Sequence, residues 1–363
     1  MPDFPKLSPE KRKQLLEPPR GPVRIVIDSD TANEIDDQFA LAWALLSQDA
    51  LKIEGIYAVP YSFGIYKPGL LQTRDLLREG KDVPLELRRF VGWVKRLNEQ
   101  NRHPEDINFC TPAEGMEESY QEILTVLEKM NMESDQKVFR GSPTYLKSYD
   151  EPVESEAVNH LIERALADEE PLYVVAIGAL TNVASALLKA PEIAERIVVT
   201  WTAGYPSLTP VYNASFNMEQ DMLASKLLFD SGVPLVYLPG FYLGAQLRLS
   251  LAEMESYING KGEIGDYLYH LYTHNPLYEQ RAIEGHFGRS WVIWDLINFA
   301  WLLNPDWVPS YLLSTPRLGD DQFWHQDNAN QHLMREAYEI DRDSIFRDFF
   351  YKLEAFSERR VSS

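Results

Sequence analysis

Four aspartates within ten residues, Asp28, Asp30, Asp36 and Asp37, hold the densest chemistry in the sequence. Asp28 and Asp30 stand two apart at the end of an extended segment, so both side chains leave the same face. Asp36 and Asp37 begin the next helix, which folds back over the same edge. Carboxylates this close raise one another's pKa unless a cation lies among them. Hard oxygen donors select an ion of the Ca²⁺ or Mg²⁺ kind, and no Cys/His spacing suggests zinc. Aspartate is also a favoured N-cap. Capping explains one or two of the four, so a metal or polyol site stands beside turn-and-cap chemistry as a reading.

Three later segments carry polar residues at strand-to-helix transitions: Gly178-Ala-Leu-Thr-Asn182, Asn213-Ala-Ser-Phe-Asn217 and Trp294-Asp295. Each alone reads as a turn or cap.

The elements that must position these residues follow from the hydrophobic pattern. Residues 23–27 (VRIVI) form a continuous β-branched run, the mark of a strand buried on both faces. A helix over 36–47 and a strand over 51–59 follow, which predicts a parallel pair with a right-handed crossover. Further strands are predicted at 137–139, 172–177, 196–201 and 235–238, and helices at 116–130, 157–167, 181–189 and 221–231. Residues 291–303 read as a buried helix ended by Asn304-Pro305. The fold class is α/β, with an open, mostly parallel (mixed) sheet flanked by helices. Residues 1–22 read as a charged N-terminal arm. Residues 23–363 read as a single domain with an irregular insertion at about 61–115, containing one amphipathic piece around 85–97. The region 306–363 shows no chemistry, and its helix-like end at 341–358 would pack on the sheet.

Composition excludes several partners. The 363 residues include 35 basic and 55 acidic ones, a net charge of −20 with a pI near 4.8. A nucleic-acid partner needs a basic surface, and an anionic membrane is disfavoured for the same reason. The single cysteine, Cys110, makes no internal disulfide, which favours a reducing compartment. The longest apolar run, at 39–46, falls short of the roughly 20 residues of a membrane helix. The first 22 residues contain no h-region of a signal peptide. A cytoplasmic setting is the expectation.

Taken in order, the segments resemble the inosine-uridine-preferring nucleoside hydrolase family. Its DxD…DD signature is matched by Asp28-Ser-Asp30 and Asp36-Asp37, and its GPLTN-type element by Gly178–Asn182. Its EFN-type element is matched by Ser215-Phe-Asn217 with Asp221, and its late aspartate by Trp294-Asp295. The spacing between DxD and DD is about two residues longer than usual, as in a divergent NEIDDQ-type branch (Asn33–Gln38). Val59-Pro-Tyr-Ser-Phe63 stands where a ribose-holding asparagine is usual, Ser215 replaces a glutamate, and Trp294 stands where many members carry histidine.

The resemblance implies a Rossmann-like nucleoside hydrolase fold and calcium-dependent hydrolysis of the N-glycosidic bond of ribonucleosides, giving ribose and free base. Water would attack C1′ through an oxocarbenium-like transition state, with Ca²⁺ lowering the pKa of its water and templating the ribose hydroxyls. Asp30, Asp37, Asp295 and the Ile177 carbonyl would bind the ion, and Asp30 would be the base. Asp36, Asn217 and Asp295 would hold the ribose, with Asp28 and Asn213 in support. Trp294 would stack on the base in place of a histidine acid, which points to purines. His274, His286 and Tyr278 lie in the preceding segment and are candidate proton donors, but neither histidine matches a family position and each reads equally as a surface or packing residue. The partner would be a small nucleoside or related N-riboside, on a homodimer or homotetramer. Two other readings stay open. One is a non-catalytic or retuned sugar-binding protein on the same fold, motivated by Ser215 and the missing asparagine. The other is a Mg²⁺-dependent DxD phosphatase, whose expected threonine is replaced by Ala32.

Overall fold

An unbroken run such as 23–27 is stable as a strand only where both faces are covered. The computed structural model, which describes residues 3–134, 137–285 and 288–361, covers both. Its main sheet contains β1 (Val23–Ser29), β2 (Leu51–Ala58), β3 (Val138–Arg140), β4 (Leu172–Ala176), β5 (Ile197–Ala203), β6 (Leu235–Pro239), β7 (Ser310–Ser314) and β8 (Leu333–Ala337). Their spatial order is β3-β2-β1-β4-β5-β6-β8-β7. Every pair is parallel except β8 with β7. The chain moves from β1 to β2 and β3 on one side, then returns to β4 on the other. The crevice between the carboxyl ends of β1 and β4 is therefore the switch point where open α/β sheets bind ligands. Asp28, in β1, is paired with Tyr57 and Ala176 there.

One face of the sheet is covered by Phe39 and Trp43, by Trp301, and by Phe346 and Phe349 of the last helix, Arg342–Val361. The other is covered by the helices Glu156–Leu166, Thr181–Lys189 and Met222–Asp230. Each fully buried large aliphatic side chain contributes about 1.5–3 kcal/mol, which suffices to hold a sheet with no solvent-facing surface. No helix among the described residues is long and apolar enough to cross a membrane.

Four regions differ from the sequence pattern in instructive ways. The stretch 1–22 contains the helix α1 (Pro9–Leu16), started by a Ser8 cap; Leu15 and Leu16 enter the main core, and the Leu16 carbonyl accepts from Arg335 Nε. The stretch 61–115 is mostly helical: after α2 (Asp36–Leu45) and β2 come α3 (Lys67–Arg78) and α4 (Arg88–Glu99), then α5 (Pro112–Lys129). Pro68 and Gly69 disguise α3, although Pro is well placed in a first turn. Residues 291–303 are not one helix. Ser290–Val292 is a strand paired antiparallel with Arg248–Ser250, and the helix begins only at Leu296; the β-branched pair Val292-Ile293 favours the extended form. Finally, 306–340 supplies β7 and β8, whose half-exposed edge pattern gives little periodic signal.

Candidate active site

Asp28 lies in β1, Asp30 just beyond it, and Asp36 and Asp37 at the start of α2; all four are 5% exposed or less. Asp295, 3% exposed, precedes the helix Leu296–Leu303. Carboxylate oxygens of Asp36, Asp37 and Asp295 lie within 4.8 Å of one another. Capping does not account for them. Ile35 occupies the N-cap position of α2, and Asp295 occupies that of its helix without a side-chain cap bond. Both helices instead direct their positive N-terminal ends toward the carboxylates.

The cluster is held by a shell of neutral donors. Ser29 Oγ donates to Asp37 Oδ1 at 2.6 Å. Asn33 Nδ2 and Gln220 Nε2 donate to Asp30 Oδ2 at 2.7 and 3.4 Å, while Asp30 Oδ1 is buried with no partner. Asn182 Nδ2 donates to Asp28 Oδ1 at 2.8 Å. Asn298, one turn after Asp295, donates to the carbonyls of Ala176 and Thr200 at 3.2 and 3.1 Å, tying the Asp295 helix to β4 and β5. Gly178 makes room for this shell, because a Cβ there would meet Asp30 Cγ and Oδ1 at 2.8 Å.

Electrostatics follow from this burial. Burial pushes Asp28 up to about 7, offset by the Asn182 bond. It pushes Asp37 up to about 7 as well, against the Ser29 bond and with help from the Glu34 charge. Asp30 is raised well above the carboxylate range by burial, then by the charges of Asp37 and Asp36. Asp295 is raised by burial and then by Asp36, Asp37 and Asp30, and it shares a hydrogen bond with Asp36. The donor set is all oxygen, buried and mutually repelling, and two carboxylate oxygens, Asp28 Oδ2 and Asp30 Oδ1, lack a partner. These residues fit a hard divalent cation.

The cluster forms the floor of a cavity of about 390 Å³, within the range of small-molecule sites. Ile177, Asn217 and Trp294 line it together with Asp36, Asp37 and Asp295. Asn217 Nδ2 donates to the carbonyls of Ile177 and Thr202, both at 3.0 Å, so its side-chain oxygen is the atom not committed to these bonds. Trp294 stands edge-on to Phe241, ring centroids 5.8 Å apart. Phe216 also lines the cavity and stacks on Phe63 at 4.4 Å. The roof comes from α4, through Arg89, Phe90, Trp93 and Arg96, and from Arg281.

Asp28, Asp30 and Asn213 do not line the cavity. Asp28 and Asp30 stand behind the floor. Asn213 accepts from the Tyr205 amide at 2.8 Å and its amide donates to the Gln322 carbonyl, so it braces a loop. His274 is exposed and stacks on His270, and Tyr278 lies edge-on to Trp291; neither lines the cavity. His286 lies outside the described residues. Asn33, Gln220 and Asn298 were not singled out from sequence. Asn298 left a signal, as a fully buried amide inside the apolar helix LINFAWLL; Gln220 left none, because its partners come from distant segments.

Comparisons with known proteins agree with this geometry. The family model for inosine-uridine preferring nucleoside hydrolase matches residues 25–347. The non-specific ribonucleoside hydrolase RihC of Escherichia fergusonii is 29% identical over 162 residues, 43% of this chain and 49% of that protein. RihC of Shigella flexneri is 33% identical over 144 residues, 38% of this chain and 43% of that protein. The matched part thus spans about half the length of these relatives. In structure, the chain is similar to a purine-preferring ribonucleoside hydrolase from Gardnerella vaginalis, with a TM-score of 0.61 at 17% identity, covering 92% of this chain and 99% of that one. It is also similar to the type III effector protein XopQ complexed with adenosine diphosphate ribose, with a TM-score of 0.51 at 14% identity, covering 96% and 99%. The α/β architecture, with its mostly parallel mixed sheet, is the nucleoside hydrolase fold. With the family model spanning most of its length and the carboxylates gathered at the switch point, the chain belongs to the inosine-uridine preferring nucleoside hydrolase family.

Proposed function

We propose that the protein hydrolyses the N-glycosidic bond of ribonucleosides, with a Ca²⁺ ion as cofactor and ribose and free base as products. The observation that carries this reading is the buried Asp36, Asp37 and Asp295 group on the floor of a cavity also lined by Trp294 and Asn217. Asp37 and Asp295, with Asp30 and the Ile177 carbonyl, are the residues that would hold the ion. Bound there, it would supply a lowered water pKa and an anchor for a vicinal diol.

The protein's own groups do the rest. The base that accepts the proton of the attacking water is assigned to Asp30 on the family resemblance; it stands directly behind the floor, and its buried Oδ1 has no partner within the protein. Asp36 and the Asn217 oxygen hold the ribose hydroxyls, and buried negative charge beside the ring favours the cationic sugar of the transition state. As water adds at C1′, the C1′–N bond breaks and its electron pair leaves with the base. Trp294 stacks on that base. Since His274 and Tyr278 lie off the cavity, the departing base takes its proton from solvent at the mouth.

Reducing-sugar release from a panel of purine and pyrimidine ribonucleosides, with Ca²⁺ and with chelator, tests this directly. Calcium-dependent release, strongest on purines, is expected. Protein that binds Ca²⁺ yet frees no sugar from any nucleoside would overturn it. The specific observations favouring a second reading, riboside binding without turnover, are Ser215 at the EFN-type element and the commitment of the Asn217 amide to two carbonyls. Calorimetry with adenosine diphosphate ribose, the ligand named for XopQ, would show tight binding without product in that case.

A further inference from the structure

The roof of the cavity carries charge of the opposite sign to its floor. Arg89, Arg96 and Arg281 all line it, in a chain of net charge −20. Arg89 and Arg281 are 28% and 26% exposed, against 5% or less for the floor aspartates, so the guanidinium groups stand nearer the mouth.

Arg89 lies over the rings of Tyr66 and Phe90, and Arg281 over those of Phe63 and Trp93, but ion-pair partners do not match all three. Arg89 bridges Glu219 at 2.5 Å, and Arg281 Nη2 bridges Glu34 at 3.2 Å. Arg281 Nε is buried with no partner. Arg96 spends its Nε on the Arg281 carbonyl at 3.0 Å, and burial together with the charges of Arg281 and Arg289 holds its pKa below the usual range. Three guanidiniums thus share two acids, with one buried donor left over. Stacking on a neutral base requires none of this. Guanidinium forks match phosphate oxygens in shape and charge.

Resting on the riboside reading above, we propose that the cavity takes phosphorylated ribosides, with the phosphate held at the mouth by Arg89, Arg96 and Arg281. A ribose gripped by its 2′,3′-diol at the acidic floor turns its 5′ carbon away from that floor. A 5′-phosphate is therefore the anion the roof is placed to receive. The aromatic rings of Trp294, Phe216 and Trp93 lie on the walls of the same space. The ligand class is a nucleoside 5′-phosphate, polar at both ends as the cavity is.

Calorimetry on the full chain with Ca²⁺ tests this, using adenosine against adenosine 5′-monophosphate and ribose against ribose 5-phosphate. Sugar release is measured separately. The phosphorylated member of each pair should bind about tenfold tighter or more at low salt, and added salt should erode that advantage. In Arg96→Gln and Arg281→Gln the ratio should fall toward one. Equal or weaker binding of the phosphorylated members to the unaltered protein would overturn the proposal and needs no variant. So would substitutions that weaken both members of each pair equally, the mark of arginines that only brace the roof or the departing base. Adenosine hydrolysis without phosphate preference would sink this inference and leave the glycosidase reading intact. Phosphate-dependent binding without any sugar release would do the reverse.

Discussion

The floor and the roof of the cavity are built on different physical terms. The floor sits at the carboxyl ends of β1 and β4, backed by the two large cores of the sheet; Ser29 fixes Asp37 in it, and Asn33 and Asn182 fix Asp30 and Asp28 behind it. The roof rests on a small separate core of Leu70, Phe90, Trp93, Val94, Leu97 and Ala282. It is joined to residues 279–281 by three side-chain bonds to backbone carbonyls: Trp93 Nε1 to Gln280, Arg96 Nε to Arg281 and Arg102 Nη1 to Glu279. A rigid acidic floor suits chemistry on a fixed atom, and a lightly anchored roof suits admission and choice of ligand.

Substitutions that separate the two regions would test this division. The largest effect belongs to the floor. Asp37→Ala removes a carboxylate from a small oxygen set, so Ca²⁺ affinity and activity should fall together, by about a thousandfold or more in kcat/KM. Calcium calorimetry that finds the affinity retained would refute that role. Next comes Leu97→Ala, which empties a fully buried site in the roof core and should cost about 2–5 kcal/mol locally. KM should rise and α4 should become sensitive to protease while Ca²⁺ affinity holds. Parallel loss of Ca²⁺ binding would show that floor and roof are one unit.

Trp294→Ala acts where the regions meet. Loss of a stacking surface is worth about 0.5–1.5 kcal/mol, so kcat/KM should fall about two- to tenfold more for purine than for pyrimidine nucleosides. Equal losses would remove the stacking role.

The smallest effect is on pH dependence. Burial raises Asp28 and Asp37 from 3.8 to about 7, so between those values the folded protein binds more protons than the unfolded chain. Without metal, stability should therefore fall as the pH rises from about 4 to about 7. In chelator Tm should fall across this window, and Ca²⁺ should flatten the slope by favouring the charged carboxylates. A Tm that rises over this window in chelator would contradict the buried, raised state of the floor.

Much of the floor was legible in the sequence. The run VRIVIDS announces a strand covered on both faces, and Asp28, Asp30, Asp36 and Asp37 follow within a span too short for the chain to separate them. The turn at Gly178 and the Thr181–Lys189 helix were equally local, since one strand and one helix carry their own periodicity. Boundaries blurred where a strand gave way to a helix inside one apolar stretch, as at Ser290–Val292 and Leu296–Leu303.

What the sequence determined by itself was the α/β class, the parallel pairing around β1 and the acidic identity of the site, because each is set by neighbours within a few tens of residues. The family resemblance also placed Asp295 with Asp36 and Asp37 across some 260 positions, where the structure gathers them; only the tertiary structure decided that Gln220 reaches Asp30 and that Arg89, Arg96 and Arg281 face the carboxylates over one cavity. Such meetings depend on how the helices close over the sheet, and that packing energy is spread over many contacts, none of which leaves a local pattern along the chain.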